Sequence, residues 1–182
     1  MAETLENMTQ NEKNDTLARL PEGKMKEDVV RNLVQQQIDK GRYNQALGYL
    51  SEMPDSNQRD YSVRSLGKEW GTSDPAGAAE WLKIQPDSTD RDLAVSGFAS
   101  VLAQSNPKEA LAWINTIPDE GIRGSALRNF AHSWLATDAA NAEAWMATTD
   151  ALSDSDKESA RVDAQKYRPG QISYGITVKN RR

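Results

Sequence analysis

The chain has no cysteine and a single histidine, His132. The first absence excludes disulfides, thiolate nucleophiles and zinc centres built on cysteine. The second excludes multi-histidine metal sites, and we read no catalytic triad around a lone imidazole. Aspartate and glutamate could then hold only a hard cation, and no D-x-D-x-D-G loop is present to do it. Neither G-x-x-x-x-G-K-[ST] nor G-x-G-x-x-G occurs, so no phosphate-cradling loop is legible. No stretch approaches the ~18 consecutive apolar residues of a membrane span. Met1 to Asp15 has no apolar h-region, so no signal peptide is expected in it; a cytoplasmic protein and a processed exported one both stay open. These absences predict a protein that is not an enzyme and takes no cofactor and no metal.

What is present is polar and acidic. The 182 residues carry 27 Asp and Glu against 22 Lys and Arg, a formal charge of −5. That sign argues against nucleic acid and anionic membrane as main partners. Mean hydropathy is −0.75, which suits an elongated array with more surface per residue than a sphere.

Periodicity organises the chain. Tyr49, Trp81, Trp113 and Trp145 stand 32 residues apart, and so do Ile38, Trp70, Leu102 and Trp134. Leu66, Phe98, Phe130 and Val162 form a third column, and Ala46, Ala78, Ala110 and Ala142 a small-residue column. Pro54, Pro86 and Pro118, with Asp150 in the fourth unit, keep the same register. Internal repetition of this kind predicts stacked supersecondary units.

Each unit resolves into two helices. The second opens at Asp74-Pro75, Asn106-Pro107 and Asp138-Ala139, where a side-chain oxygen can accept from the free N–H groups of the first turn. It runs to the proline column, which cannot continue it. The first helix comes after a polar turn such as Asp87-Ser88-Thr89, and Val95, Phe98, Ala99 and Leu102 recur at i, i+3, i+4, i+7. Helices are expected at about 24–40, 43–52, 58–72, 75–84, 90–105, 107–116, 122–136, 139–149 and 154–166.

Leu66-Gly67, Trp70, Ala78, Trp81-Leu82 and Pro86 succeed one another in the order large–small, aromatic, alanine, aromatic, proline. The run Gly41-Arg42-Tyr43-Asn44-Gln45-Ala46-Leu47-Gly48-Tyr49-Leu50 matches a turn and second helix of the same pattern. From about Glu22 to Asp150 the chain thus resembles the tetratricopeptide family, with a shorter repeat than that family's roughly 34 residues. It is similar to short helical repeats of bacterial proteins. The resemblance implies an all-α superhelix, or solenoid, of about four helix–turn–helix repeats, with a concave face built largely from first helices that binds extended peptides.

The chain divides into four parts. Residues 1–21 are a flexible N-terminus or a half-repeat, since Leu17-Ala18-Arg19-Leu20-Pro21 looks like the end of a second helix. Residues 22–150 hold the four repeats. Residues 151–167 form a polar capping helix, with Asp154 and Asp156 as N-terminal helix charges rather than a catalytic pair. Residues 168–182 are a flexible tail in which Ile172 to Val178 alternates like a short strand.

Two sets of residues stand out beyond the core columns. Tyr61, Arg64 and Lys68 cluster opposite the Leu66–Trp70 side of their helix; Leu93 falls at the Tyr61 position of the next unit, Arg128 and His132 at the Arg64 and Lys68 positions of the one after. If first helices line the concave face, this stripe is a partner-binding groove with basic patches, suited to an acidic peptide or a C-terminal carboxylate. Arg59, Arg91 and Arg123 make a secondary edge, explained either by inter-repeat salt bridges or by a ladder of anion donors. The five tryptophans sit at core phase, and packing explains them. The leading expectation is a protein-binding scaffold. The alternative is a structural or assembly module that packs on another domain or self-associates weakly, with no peptide ligand.

Overall fold

The computed structural model describes residues 9–21 and 23–166. They are all-α: ten helices and no strand among the described residues. In chain order these are α1 (Gln10–Arg19), α2 (Lys24–Asp39), α3 (Tyr43–Leu50), α4 (Asn57–Ser73), α5 (Pro75–Ile84), α6 (Thr89–Leu102), α7 (Pro107–Ile114), α8 (Glu120–Thr137), α9 (Ala139–Thr148) and α10 (Asp154–Lys166). Nine of them overlap the expected spans. The tenth, α1, lies where the sequence left a flexible terminus or half-repeat open. Thr9 caps it reciprocally: its hydroxyl accepts from Glu12 N at 3.4 Å, and the Glu12 carboxylate accepts from Thr9 N at 2.7 Å. The strand-like stretch from Ile172 to Val178 and the rest of the tail lie outside the described residues.

Asp74 and Asp138 each end a long helix and begin the short one after it, while Asn106 begins α7 three residues beyond the Ala103 end of α6. Asp74, Asn106 and Asp138 take nearly the same backbone angles, φ −147, −143 and −146° with ψ 78, 73 and 78°. Each donates its own N–H back to the preceding turn, to Trp70 O at 2.8 Å, Leu102 O at 2.7 Å and Trp134 O at 2.7 Å. Each side chain then accepts from the third residue of the next helix: Gly77, Glu109 and Asn141. The turn between α2 and α3 is made differently. Gly41 adopts φ 66°, a left-handed conformation that costs glycine least, and Arg42 N–H returns to the Gln37 carbonyl at 2.8 Å.

Packing is between near neighbours in sequence. Each helix from α1 to α8 packs on the next one in the chain, and α2, α4, α6, α8 and α10 pack in series on one another. The closest of these contacts is α4 on α6. A Cβ at Gly67 would overlap the Ala94 carbonyl oxygen and sit 2.8 Å from Ala94 Cα. One at Gly97 would overlap the Arg64 carbonyl oxygen and sit 2.9 Å from Lys68 N, and one at Gly71 would sit 2.6 Å from Phe98 Cδ2. Three missing side chains therefore let two backbones touch. With α4 on one side and α8 on the other, α6 is buried at every residue from Arg91 to Ala99, which is how a central helix reads.

Aromatic rings fill the layer between first and second helices. Trp70 stacks on Tyr43 at 4.8 Å and leans on Trp81 at 5.3 Å. Phe98 meets Trp113 edge-on at 5.5 Å, and Phe130 meets Trp145 edge-on at 5.1 Å, with Trp134 beside both Phe130 and Trp145. Such contacts add to the burial of the rings themselves.

The column through Val162 does not hold in α10. Val162 is 40% exposed, and Ala160 and Ala164 are buried instead. The buried phase of α10 is displaced from that of α4, α6 and α8, because the turn leading into it carries one residue more. Ser153 caps α10 by accepting from Asp156 N at 3.1 Å, one position later than Ser56 and Ser88 cap α4 and α6.

This packing makes two stability predictions. Gly97→Ala or Gly67→Ala should cost about 1–3 kcal/mol by forcing α4 from α6. Gly48→Ala, where a Cβ meets nothing within 4 Å, should instead stabilise by up to about 1 kcal/mol, as glycine does when replaced in an open helix position. Urea denaturation of the three variants decides it, and equal effects would contradict the close approach. Trp113→Ala should cost about 3–5 kcal/mol and Trp145→Ala less, because Trp113 is 8% exposed while Trp145 is only partly buried.

Candidate functional site

The six residues expected to bind a partner are distributed over three helices. Tyr61, Arg64 and Lys68 occupy successive turns of α4. Tyr61 is 64% exposed, Lys68 is exposed and Arg64 is half-buried. The Arg64 Nε is enclosed and has no hydrogen-bond partner among the described residues. Among the described residues neither Arg64 nor Lys68 forms an ion pair. Arg128 and His132 lie one turn apart on α8, the first exposed and the second half-buried.

Leu93 does not join them. It is 2% exposed, inside the core, so the apolar contact expected there is corrected. The sequence pattern gave Leu93 the same phase as Tyr61. The pattern did not show that α4 and α8 would close over α6 from both sides. Ser96, at the Arg64 position of α6, is 1% exposed for the same reason. Accessible cationic positions therefore lie on α4 and on α8, with the occluded middle of α6 between them.

Arg128 already holds an anion. Its Nη1 donates to Asp156 Oδ1 of α10 at 3.3 Å and its Nη2 to Ser125 Oγ at 2.9 Å. The Ser153 hydroxyl, then Arg128, hold the Asp156 carboxyl below the usual carboxylate range. A second tether joins α10 to α9: Arg161 grips Glu143 with Nε at 2.9 Å and Nη2 at 2.8 Å, lowering the Glu143 pKa.

The arginine column at the starts of the first helices is bonded within the protein. Arg59 donates Nε to the Leu50 carbonyl at 3.0 Å and both Nη groups to the two Asp90 oxygens at 2.7 Å. This planar fork joins α4 to α6, next to the glycine crossing. Arg91 donates to the carbonyl and hydroxyl of Thr116 at 3.2 and 3.1 Å. Arg123 donates to the Ile117 carbonyl at 2.7 Å. Asp55 lies 3.9 Å from Arg59. Asp90 makes the closer pair. It lies 31 residues further along the chain, a distance at which no local pattern links the two.

Beside Arg91, Asp92 is 3% exposed. Burial pushes its carboxyl above the usual carboxylate range, against the opposing pull of the Asp119 N–H and of the Arg91 guanidinium, whose Nη1 is 3.4 Å away. Among the described residues no cluster of His, Asp and Glu is placed to hold a metal ion, and no helix is long and apolar enough to cross a membrane. No family model matches the chain, and neither curated proteins nor solved structures give a match.

The buried carboxyl makes a pH prediction. Asp92 has a raised pKa in the fold, so folding favours its protonated form. Relative to Asp92→Asn, the natural chain should be most stable below the ordinary aspartate value of 3.8, and should lose that advantage as pH rises through the raised value. Denaturation midpoints of both proteins at several pH values between about 4 and 7 measure this. A difference that stays flat with pH would show Asp92 to be indifferent to its burial.

Proposed function

We propose that the chain is a non-catalytic scaffold: an α–α superhelix of four helix–turn–helix units, similar to tetratricopeptide arrays, that holds an acidic peptide segment on the outward flank of its first helices. Sequential packing of α2, α4, α6 and α8 supports the superhelix. So do the near-identical cap angles at Asp74, Asn106 and Asp138.

One observation carries the ligand class. Arg64 and Lys68 stand on adjacent turns beside the exposed Tyr61 ring and have no acidic partner among the described residues. Elsewhere in this acidic chain, Arg59, Arg128 and Arg161 each hold a carboxylate. Two cations four residues apart on a helix face can close on one carboxylate, and Tyr61 offers an aromatic surface for a neighbouring side chain. A peptide carrying Asp or Glu, or ending in a free carboxylate, supplies the missing charge.

The test is fluorescence anisotropy with a labelled ten-residue Asp/Glu-rich peptide, with free and with amidated C-terminus. Arg64→Glu with Lys68→Glu should weaken binding about ten-fold or more without changing the melting temperature, and added salt should weaken it further, since exposed charges are screened within about 8–10 Å. Unchanged affinity in a normally melting variant would remove α4 as the binding surface.

A further inference from the structure

We propose that Arg128 and Ser125 of α8 form a second subsite for a peptide carboxylate, and that α10 is its resident competitor, delivering Asp156 into it until a partner displaces the helix. This deepens the scaffold reading and rests on it, since it uses the same class of ligand at the next accessible cation along the array.

The two sites share a position in the sequence. Arg64 and Arg128 belong to one column, two units apart, and Ser96 between them is buried. Among the described residues Arg64 has no carboxylate; Arg128 has that of Asp156. What distinguishes them is the long helix packed alongside. Next to Arg64, α6 is locked onto α4 through Gly67 and Gly97 and by the Arg59–Asp90 fork. Next to Arg128, α10 packs on α8 with no glycine contact of that kind among the described residues. Its own buried side chains are the alanines Ala160 and Ala164, with Leu152 in the turn before it. Its phase has slipped, so Val162 faces outward. Two ion pairs join it to its neighbours, Asp156 to Arg128 and Arg161 to Glu143, both partly exposed. Exposed pairs add little net stability, because water solvates the separated charges nearly as well. A helix with few buried apolar contacts opens locally at low cost.

Asp156 is thus an acidic side chain, on an amphipathic helix, bound at a position whose counterpart on α4 awaits one. An acidic partner segment would exchange one carboxylate–arginine contact for another, and Arg64 and Arg128 would then grip it at two points. Linking the two contacts in one ligand raises affinity beyond either alone.

Hydrogen exchange and peptide capture test this on the intact chain. In the natural protein, amides of α10 should exchange at least about ten-fold faster than those of α6. Asp156→Asn and Arg161→Gln should each speed exchange in α10 while leaving α4 to α8 unchanged. Both should tighten capture of the ten-residue Asp/Glu-rich peptide by about three-fold or more, and Arg128→Gln should abolish that gain. Arg161 touches neither Arg128 nor α4, so its effect must come through release of the helix. Protection in α10 equal to that in α6 would overturn the proposal. So would Arg161→Gln opening α10 without tightening capture. If the tether variants change nothing while Arg64→Glu with Lys68→Glu still abolishes capture, the α4 site stands and the second subsite falls. If the peptide binds no variant, both fall together.

Discussion

Where α4 crosses α6, backbone meets backbone. Gly67, Gly71 and Gly97 leave no side chain to hold the two helices at the usual spacing, and Arg64 and Lys68 present their main-chain atoms to Gly97 directly. Burial of the middle of the protein results from that contact. α6 is drawn under α4, α8 closes from the other side, and a helix with arginine, aspartate and serine among its residues ends up buried through two turns. Of the polar groups taken inside, Arg91 reaches Thr116 and Asp92 accepts from Asp119 N–H, while the Ser96 hydroxyl has no hydrogen-bond partner among the described residues. The same closeness sets Asp90 where Arg59 can fork onto it.

The proposed binding surface depends on the spacing of the helices as much as on their sequence. Three first helices carry the same outward phase, but only the outer two can show it. α6 contributes small or occluded residues there, so the cationic flank is divided into a part on α4 and a part on α8. A uniform groove over α4, α6 and α8 would need α6 to stand as far from α4 as an ordinary helix pair. The glycines prevent that.

Much of the helical layout was legible because it is local. The cap residues Asp74, Asn106 and Asp138, the polar turn at Asp87-Ser88-Thr89, the prolines and the aromatic columns all act within a few residues of themselves, and they put nine helices within a few residues of their observed ends. What the columns could not show was distance between helices. Leu93 has the phase of Tyr61 and a wholly different exposure, and only the separation of α4 and α6 decides which is which. Gly67 was visible as the small member of a large–small pair, yet Gly97 lies outside any column of glycines and signalled nothing. The partners of Arg59 and Arg128 lie 31 and 28 residues away, on helices whose approach had to be known first. In α10 the columns misled, because one added residue in the preceding turn shifts every later position out of phase.

That slipped turn and the one-residue joints are two sides of one restriction on how such a chain can change length. Asp74 and Asp138 each serve two helices at once, accepting for the next and donating to the last, with a single pair of angles fixing the bend between them, and Asn106 repeats those angles and bonds after a short turn. A residue added there would break both caps together, so these joints have no slack. The turns that lead from a short helix into the next long one hold their ends by separate caps, and there an added residue merely rotates the next helix about its axis. Between α9 and α10 the chain has taken that freedom. Lineages of this protein should therefore gain and lose residues around positions 51–56, 85–88, 115–119 and 149–153, while the joints at 74, 106 and 138 keep their length.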